Sequence, residues 1–349
     1  MLLSRLTRLL NDRLFRVAGT AADERLFATA DDGWRIALHR YLPVAGAPAR
    51  RYPVILCHGL AANHFGFDLA PEVSLARRLA ALGFDVFALE LRGHGDSDAA
   101  TLRGPRRWGF SFDDYLLRDL PAAIARVQKV SGAPLVHWVG HSMGGILLYA
   151  YLATTGGAGL ASGTAIGSSL DYSASASGFH RTLGLRPLGR LVPAVPLGGL
   201  IRLSTPVSGR YGTSFERFNL WPENVEGELV RTLHASTFHT VSTPVLLQLA
   251  TAFEPGGLRS WDGTRRYLDD LRAARAKTPV LAMAADKDEQ CPPGATEPTL
   301  AALAGKVRLA EHGIAHGHSS HYGHFDLIIG RHASREVWPT LEAWLGEHD

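Results

Sequence analysis

"PLVHWVGHSMGGILLYAYLA", residues 134–153, changes its pattern at one residue. Up to Val139 it is a short apolar run, the composition of a strand covered on both faces. From Gly145 onward it reads as a helix. Between the two lies Gly140-His141-Ser142-Met143-Gly144, a G-x-S-x-G pattern. A turn that passes straight from strand to helix strains its central residue and lifts that side chain clear of the sheet. Glycines must flank it, because side chains there would strike the neighbouring strand and helix. The turn also sets Ser142 at a helix N-terminus, where free N–H groups and the helix dipole favour a developing anion.

Working outward, four more runs share the strand composition: "YPVILCHG" (52–59), "DVFALE" (85–90), "GTAIGSSL" (163–170) and "TPVLAMAAD" (278–286). Helical patterns separate them. "APEVSLARRLAALG" (70–83) closes on Gly83, and "DDYLLRDLPAAIARVQKVSG" (113–132) takes Asp113 or Asp114 as its cap. "SREVWPTLEAWLGEHD" (334–349) ends the chain. Strand and helix in alternation predict an α/β fold with a mostly parallel central sheet and helices on both faces. "DGWRIALHRYLP" (32–43) alternates and suits an antiparallel edge. The rhythm breaks between 171 and 275, which reads as an inserted, mainly helical lid. The expected organisation is an amphipathic helix over 1–20, a core of 21–170 and 276–349, and a lid of 171–275.

The chain has 349 residues, 46% hydrophobic and 20% charged, enough to bury a core without metal or disulfide staples. Its two cysteines, Cys57 and Cys291, therefore need no bridge. A net charge of +3 creates no field for nucleic acid, which is excluded as a partner. No apolar run is long enough to span a membrane. The opening "MLLSRLTRLLNDRLFRVAG" is broken by arginines and lacks a secretory core, so a cytoplasmic location is expected. Its leucines face away from Arg5, Arg8 and Arg16. Such a helix docks on its own domain or on an anionic membrane surface. The oligomeric state leaves no mark in the sequence.

A serine hydroxyl needs a base to take its proton, and the base needs an acid to orient it. Behind a strand–helix turn of this kind the chain order is Ser, then acid, then His. "LAMAADKDEQCPP" (281–293) supplies Asp286 and Asp288 in the exit loop of the last strand run. "EHGIAHGHSSHYGHFD" (311–326) follows with His312, His316, His318, His321 and His324. The oxyanion of acyl transfer needs donors already aimed at it. The Met143 amide, next after the serine, is one.

"HG" (58–59), "LRGHGDS" (91–97), "GHSMGG" (140–145), "DKDEQCPP" (286–293) and "GHFDLIIG" (323–330) together resemble the α/β-hydrolase superfamily. Within it, "DGWRIALHRY", "CHGLAAN" and "YGHFDLIIGRHASREVWPTLEAWL" are similar to lipases of the acid/gastric type and their bacterial relatives. The resemblance implies the α/β-hydrolase fold and a serine esterase or lipase. It implies Ser142 as nucleophile, Asp288 rather than Asp286 as acid, and His324 as base. It places the second oxyanion donor at Leu60, with Gly59 letting the backbone turn toward the site. His58 then braces that loop, and Asp326 is structural.

A metal centre among the histidines is the rival reading. Gly313 and Gly317 oppose a helix carrying His312 and His316, and no H-E-x-x-H occurs, so no metal is expected. The other histidines read as polar loop positions. No G-x-G-x-x-G or Walker pattern supports a nucleotide, and the triad needs no cofactor. Acyl transfer, thioester or amide hydrolysis, and non-catalytic binding remain alternatives on the same scaffold. In the lid, leucines such as Leu183, Leu185, Leu188, Leu191, Leu200 and Leu203 stand among Arg181, Arg186, Arg190, Arg202 and Arg210. That mixture suits an acyl pocket or a lipid interface, although such leucines also pack in any small helical subdomain.

Overall fold

The computed structural model describes residues 21–185 and 192–349, with the side chains of 182–185 left out. The helix expected over 1–20 and the lid positions Arg186, Leu188, Arg190 and Leu191 lie outside the described residues, as do the side chains of Leu183 and Leu185.

The main sheet is built from β1 (Glu24–Thr29), β2 (Arg35–Tyr41), β3 (Val54–Cys57), β4 (Val86–Glu90), β5 (Val136–His141) and β6 (Leu160–Ile166). A ribbon of β7 (Ala194–Val195) and β8 (Val241–Ser242) intervenes in the chain before β9 (Val280–Ala285) and β10 (Val307–His312) rejoin the sheet. The spatial order is β1-β2-β4-β3-β5-β6-β9-β10. β2 runs antiparallel to both β1 and β4, and every pairing from β4 to β10 is parallel. β3, β4, β5 and β9 are buried along their whole length, as continuous apolar runs must be when both faces are covered. β3 has β4 on one side and β5 on the other, so the chain reverses its direction of progress there. The loops leaving β3 and β5 diverge at this point, where open α/β sheets bind ligands.

Helices fill the crossovers: α1 (Leu75–Ala81), α2 (Leu120–Ser131) and α3 (Met143–Thr155). Ser74 caps α1 by accepting the Arg77 N–H at 3.1 Å. The segment before α2 is capped by Ser111, not by either aspartate. Asp114 takes the third helical position and accepts the Ser111 N–H at 2.8 Å, completing a capping box. A π-turn over Tyr115–Asp119 precedes Pro121. It places buried Asp119 where it accepts from the Arg92 amide at 3.0 Å and guanidinium at 2.8 Å. Cys57 and Cys291 are both buried and free.

Between β6 and β9 the chain folds into short helices: α4 (Leu197–Ser204), α5 (Ser214–Asn219), α6 (Gly227–Ser236), α7 (Thr243–Leu249) and α8 (Tyr267–Ala274). α8 falls inside the expected lid span, yet it packs along α3 and buries Tyr267, Leu268 and Leu271. Arg202 is buried, with its guanidinium on the carbonyls of Ala235 (3.0 Å) and Phe238 (2.6 Å). It ties α4 to the end of α6 and presents no charge to a surface. α9 (Trp338–Glu347) closes the fold, and Arg308 of β10 lies over its Trp344 at 5.1 Å.

Candidate active site

β5 ends at His141 and α3 begins at Met143, so Ser142 alone makes the turn. Its φ of 53° and ψ of −118° lie in a region that costs a non-glycine residue roughly 1–3 kcal/mol. The turn is over-determined by its neighbours. The Ser142 N–H donates to Ile166 O at 2.8 Å, and the Ser168 hydroxyl donates to Ser142 O at 2.8 Å. A Cβ on Gly140 would collide with the Gly144 carbonyl, and one on Gly144 with the Cys57 carbonyl. The G-x-S-x-G glycines are thus required by close backbone approach, as the sequence pattern predicts.

Asp288 leaves β9 in a tight turn. Its Oδ1 accepts the amides of Gln290 and Cys291, each at 2.8 Å. Its Oδ2 lies 2.6 Å from His324 Nδ1, and both residues are buried. Gly167, at φ +59°, permits this approach. A Cβ there would stand 3.0 Å from both Asp288 Oδ2 and His324 Nδ1. With the Nδ1 proton given to Asp288, His324 Nε2 carries a lone pair. That nitrogen is buried and without a hydrogen-bond partner among the described residues. His141, next to Ser142, has its ring 4.6 Å from that of His324 and its Nε2 3.1 Å from the His324 carbonyl. Burial, aided by His324, drives the His141 pKa well below its ordinary value. A neutral imidazole therefore donates its N–H to the His324 carbonyl. Asp326 anchors the same loop, accepting from the amides of Gly323 (2.8 Å) and Trp221 (3.3 Å) and from Asn224 Nδ2 (3.1 Å). Burial pushes its carboxyl up to about 7 against those donors.

The loop leaving β3 meets the Ser142 turn directly. A Cβ on Gly59 would come within 2.9 Å of Ser142 Cβ. The amides of Leu60 and Met143 have no acceptor among the described residues. His58 accepts the Leu91 N–H at Nε2 (3.1 Å) and donates from Nδ1 to Gly59 O (2.8 Å). Burial, reinforced by His94, lowers its pKa to about 3, so it braces the loop as a neutral ring. All four loops belong to the carboxyl ends of β3, β5, β9 and β10. The residues between β6 and β9 touch three of them: His239 N–H donates to Ala61 O (2.6 Å), Gly178 N–H to Glu289 O (2.7 Å) and Phe325 N–H to Asn219 O (2.9 Å).

A family model described as the alpha/beta hydrolase fold matches residues 52–183. An esterase from Exiguobacterium antarcticum superposes with a TM-score of 0.58 at 18% identity, covering 93% of this chain and 100% of that one. The chain has the α/β-hydrolase fold. It also superposes on a bacterial membrane phospholipase A, with a TM-score of 0.60 at 16% identity over 99% of this chain and 92% of that one. In sequence it is 39% identical to Lipase 1 of Drosophila melanogaster over 120 residues, 33% of this chain and 26% of that protein. It is 33% identical to human gastric triacylglycerol lipase over 130 residues, 35% of this chain and 32% of that protein. The matched stretch thus spans about a quarter to a third of those relatives.

The remaining histidines correct one expectation. His312 is no loop residue: it ends β10, is 2% exposed, and has Nδ1 3.2 Å from His318 Nε2. His321 pairs with Asp286, and His316 is exposed. Sequence reading also missed Gly167, His141 and the amides that hold Asp288. Their only signal was a glycine at the end of a strand run and a histidine inside a recognised motif. A further cluster of His39, His64 and Glu90 brings three ligand-type atoms within 4.8 Å of one another. The two imidazoles stack at 3.7 Å and 17°. An ion shared between them would lie up to about 1.8 Å out of each ring plane, nearly the whole of a ~2.1 Å Zn–N bond, whereas the lone pairs lie in the planes. The rings as arranged clamp the buried Glu90 carboxylate rather than a cation. Burial opposes its ionisation, but His39 Nε2 at 3.1 Å and the hydrogen bond from His64 outweigh that and hold its pKa well below the usual range.

Proposed function

We propose that this α/β-hydrolase is a serine carboxylic-ester hydrolase acting on esters with apolar acyl groups. The observation that carries the reading is the buried Asp288–His324 pair, whose unpartnered Nε2 belongs to the same sheet edge as the strained Ser142 turn. His324 takes the Ser142 proton as Oγ attacks the ester carbonyl. Asp288 holds the imidazole and stabilises its charge. The amides of Met143 and Leu60 receive the oxyanion. The intermediate collapses, His324 returns the proton to the departing alcohol, and an acyl-enzyme remains. Water deprotonated by His324 then attacks the acyl carbon, and Ser142 is regenerated as the acid leaves. No step needs a cofactor.

The relatives named as lipases and the superposed esterase support an ester substrate. The segment 171–275 acts as a cap over the site. Its exposed Leu200, Leu203 and Val207 recur at spacings of three and four and suit contact with acyl chains or a lipid surface. Among the described residues no helix is long and apolar enough to cross a membrane. The test is hydrolysis of p-nitrophenyl esters of increasing acyl length by the native protein and by Ser142→Ala. Turnover should fall at least about 10⁴-fold in the variant, and the preferred chain length will separate esterase from lipase. Equal turnover by the two proteins would overturn the reading.

A further inference from the structure

The loop leaving β3 holds a strained residue that its own sequence does not stabilise. Ala61 has φ +60°, a left-handed conformation that costs a residue with a Cβ of order 1 kcal/mol. From within the loop, the Ala62 N–H donates to Gly59 O at 3.1 Å and His58 Nδ1 braces the same carbonyl at 2.8 Å. The other contacts come from the capping segment some 175 residues later. His239 donates its backbone N–H to Ala61 O at 2.6 Å. Asn63, 3% exposed, divides its amide between the two sides. Its Oδ1 caps the following turn by accepting the Phe65 N–H at 3.1 Å. Its Nδ2 donates to Ser236 O at 3.0 Å and lies 3.0 Å from His239 Nε2. Since Asn63 Nδ2 can only donate, His239 Nε2 accepts and the ring is neutral. Burial, with His94 and Arg202 nearby, keeps its pKa well below the ordinary value, in agreement.

The far side of this contact is itself fixed. Ser236 is the last residue of α6, whose final carbonyls have no partner within the helix. Asn63 takes the Ser236 carbonyl, while Arg202 takes those of Ala235 and Phe238. Gly198 of α4 donates to His239 O at 3.0 Å, and a Cβ there would collide with the Phe238 carbonyl. Asn63 thus grips a point tied to two helices of the cap.

We propose that Asn63 and His239 are positioning residues that fasten the Leu60 loop to the cap and thereby aim the Leu60 amide at the oxyanion. This rests on the reading of Leu60 as an oxyanion donor. The cap is then part of the catalytic geometry as well as a cover, because moving residues 236–239 away releases the strained Ala61 turn. Neither side chain touches the substrate. Their contribution falls on the transition state, whose charge is larger than that of the bound ester.

The experiment measures kcat, KM and Tm on the preferred p-nitrophenyl ester. The full chain is compared with Asn63→Ser, His239→Ala, His239→Gln, the Asn63→Ser/His239→Ala double variant and Ser142→Ala. Asn63→Ser keeps an oxygen for the Phe65 N–H but cannot reach the cap. Glutamine at 239 can present Oε1 where the imidazole presents Nε2. Asn63→Ser and His239→Ala are expected to lower kcat by about 10- to 100-fold with KM within about threefold, up to the effect of losing one oxyanion donor. The double variant should be no worse than the poorer single, since both break one contact. His239→Gln should recover most of the loss. An alkylboronic acid, whose tetrahedral adduct fills the oxyanion position, should bind more weakly in proportion to kcat/KM. Wild-type kcat in Asn63→Ser, with Ser142→Ala inactive, would overturn the positioning role alone. If Asn63→Ser does not fold, equal kcat in His239→Ala and His239→Gln overturns it. Unchanged turnover in Ser142→Ala overturns the ester-hydrolase reading and this proposal with it.

Discussion

Two aspartate–histidine pairs stand side by side at one end of the sheet, and they differ in almost everything except composition. Asp286 and Asp288 lie two residues apart after β9, and their partners His321 and His324 lie three apart after β10. The side chains of His324 and Asp288 are 2% and 0% exposed, whereas those of His321 and Asp286 are 30% and 16% exposed. Asp288 spends its second oxygen on two amides of its own turn. Asp286 spends its second oxygen on the Tyr322 amide, across the gap to the histidine loop. The first pair is thus a fixed carboxylate orienting a ring whose other nitrogen is free. The second is a pin between two loops, partly open to water. Identical chemistry yields the proposed catalytic dyad in one place and a loop fastener in the other, and burial with backbone donors makes the difference.

The sharpest way to break this comparison is to neutralise each acid in turn. In Asp288→Asn the side-chain oxygen keeps the amides of Gln290 and Cys291, and the NH₂ turns toward His324 Nδ1. That nitrogen must then accept, so Nε2 carries the proton and cannot take one from Ser142. The expected loss in kcat is about 10⁴-fold. Asp286→Asn should leave kcat within about threefold. Steady-state kinetics on one ester checks both. A larger loss in Asp286→Asn than in Asp288→Asn would exchange the two roles.

A smaller effect is expected on stability and comes from Asp326, which holds the loop bearing both histidines. Its carboxyl is raised from 3.8 to about 7 by burial. The folded state therefore keeps a proton that the unfolded chain releases. The stability tied to this proton is fully present below about pH 4 and is lost as pH rises toward 7, by at most about 1.4 kcal/mol per pH unit. Asp326→Asn removes the linkage. Asn224 Oδ1, buried and unpartnered among the described residues, can accept from the new amide once Asn224 flips. Urea denaturation at several pH values should show the variant gaining on the wild type between pH 4 and 7. A difference that is constant or shrinks over that window would refute the linkage.

How legible these features were in the sequence depended on the range of the interactions behind them. The strand–helix turn at Ser142 was plain, because its glycines answer contacts within a few residues and the next strand. β3, β4, β5 and β9 were plain because full burial on both faces leaves an unbroken apolar run. β1 and β10 escaped notice. They are edges, and "VRLAEH" mixes charges with exposed Val307 and Leu309. β6 was placed three residues late, since Gly167 bends the chain out of the strand that the run seemed to continue. Asp288 and His324 came from resemblance, because spacing alone left two acids and five histidines. The hold of residues 236–239 on Asn63, the burial of Arg202 and the stacking of His39 on His64 had no local signal. Each joins residues that only the folded chain brings together.

The least effect, and the one that tests the pin directly, is expected from His321→Ala. The pair it breaks is partly exposed, and such pairs contribute about 0.2–1 kcal/mol once side-chain entropy and screening are counted. Asp286 keeps the Tyr322 amide and is wet enough to replace the imidazole with water. The ring also lies edge-on to Trp221 at 5.2 Å, and losing that contact adds a few tenths of a kcal/mol. Urea denaturation should therefore show a loss of about 1 kcal/mol, with kcat within about twofold. The reason is that His141 at the His324 carbonyl and Asp326 at the preceding Gly323 amide, not His321, hold this stretch of backbone. A fall in kcat of tenfold or more with stability unchanged would mean that the outer pair steers the inner one, and the two could no longer be treated as separate.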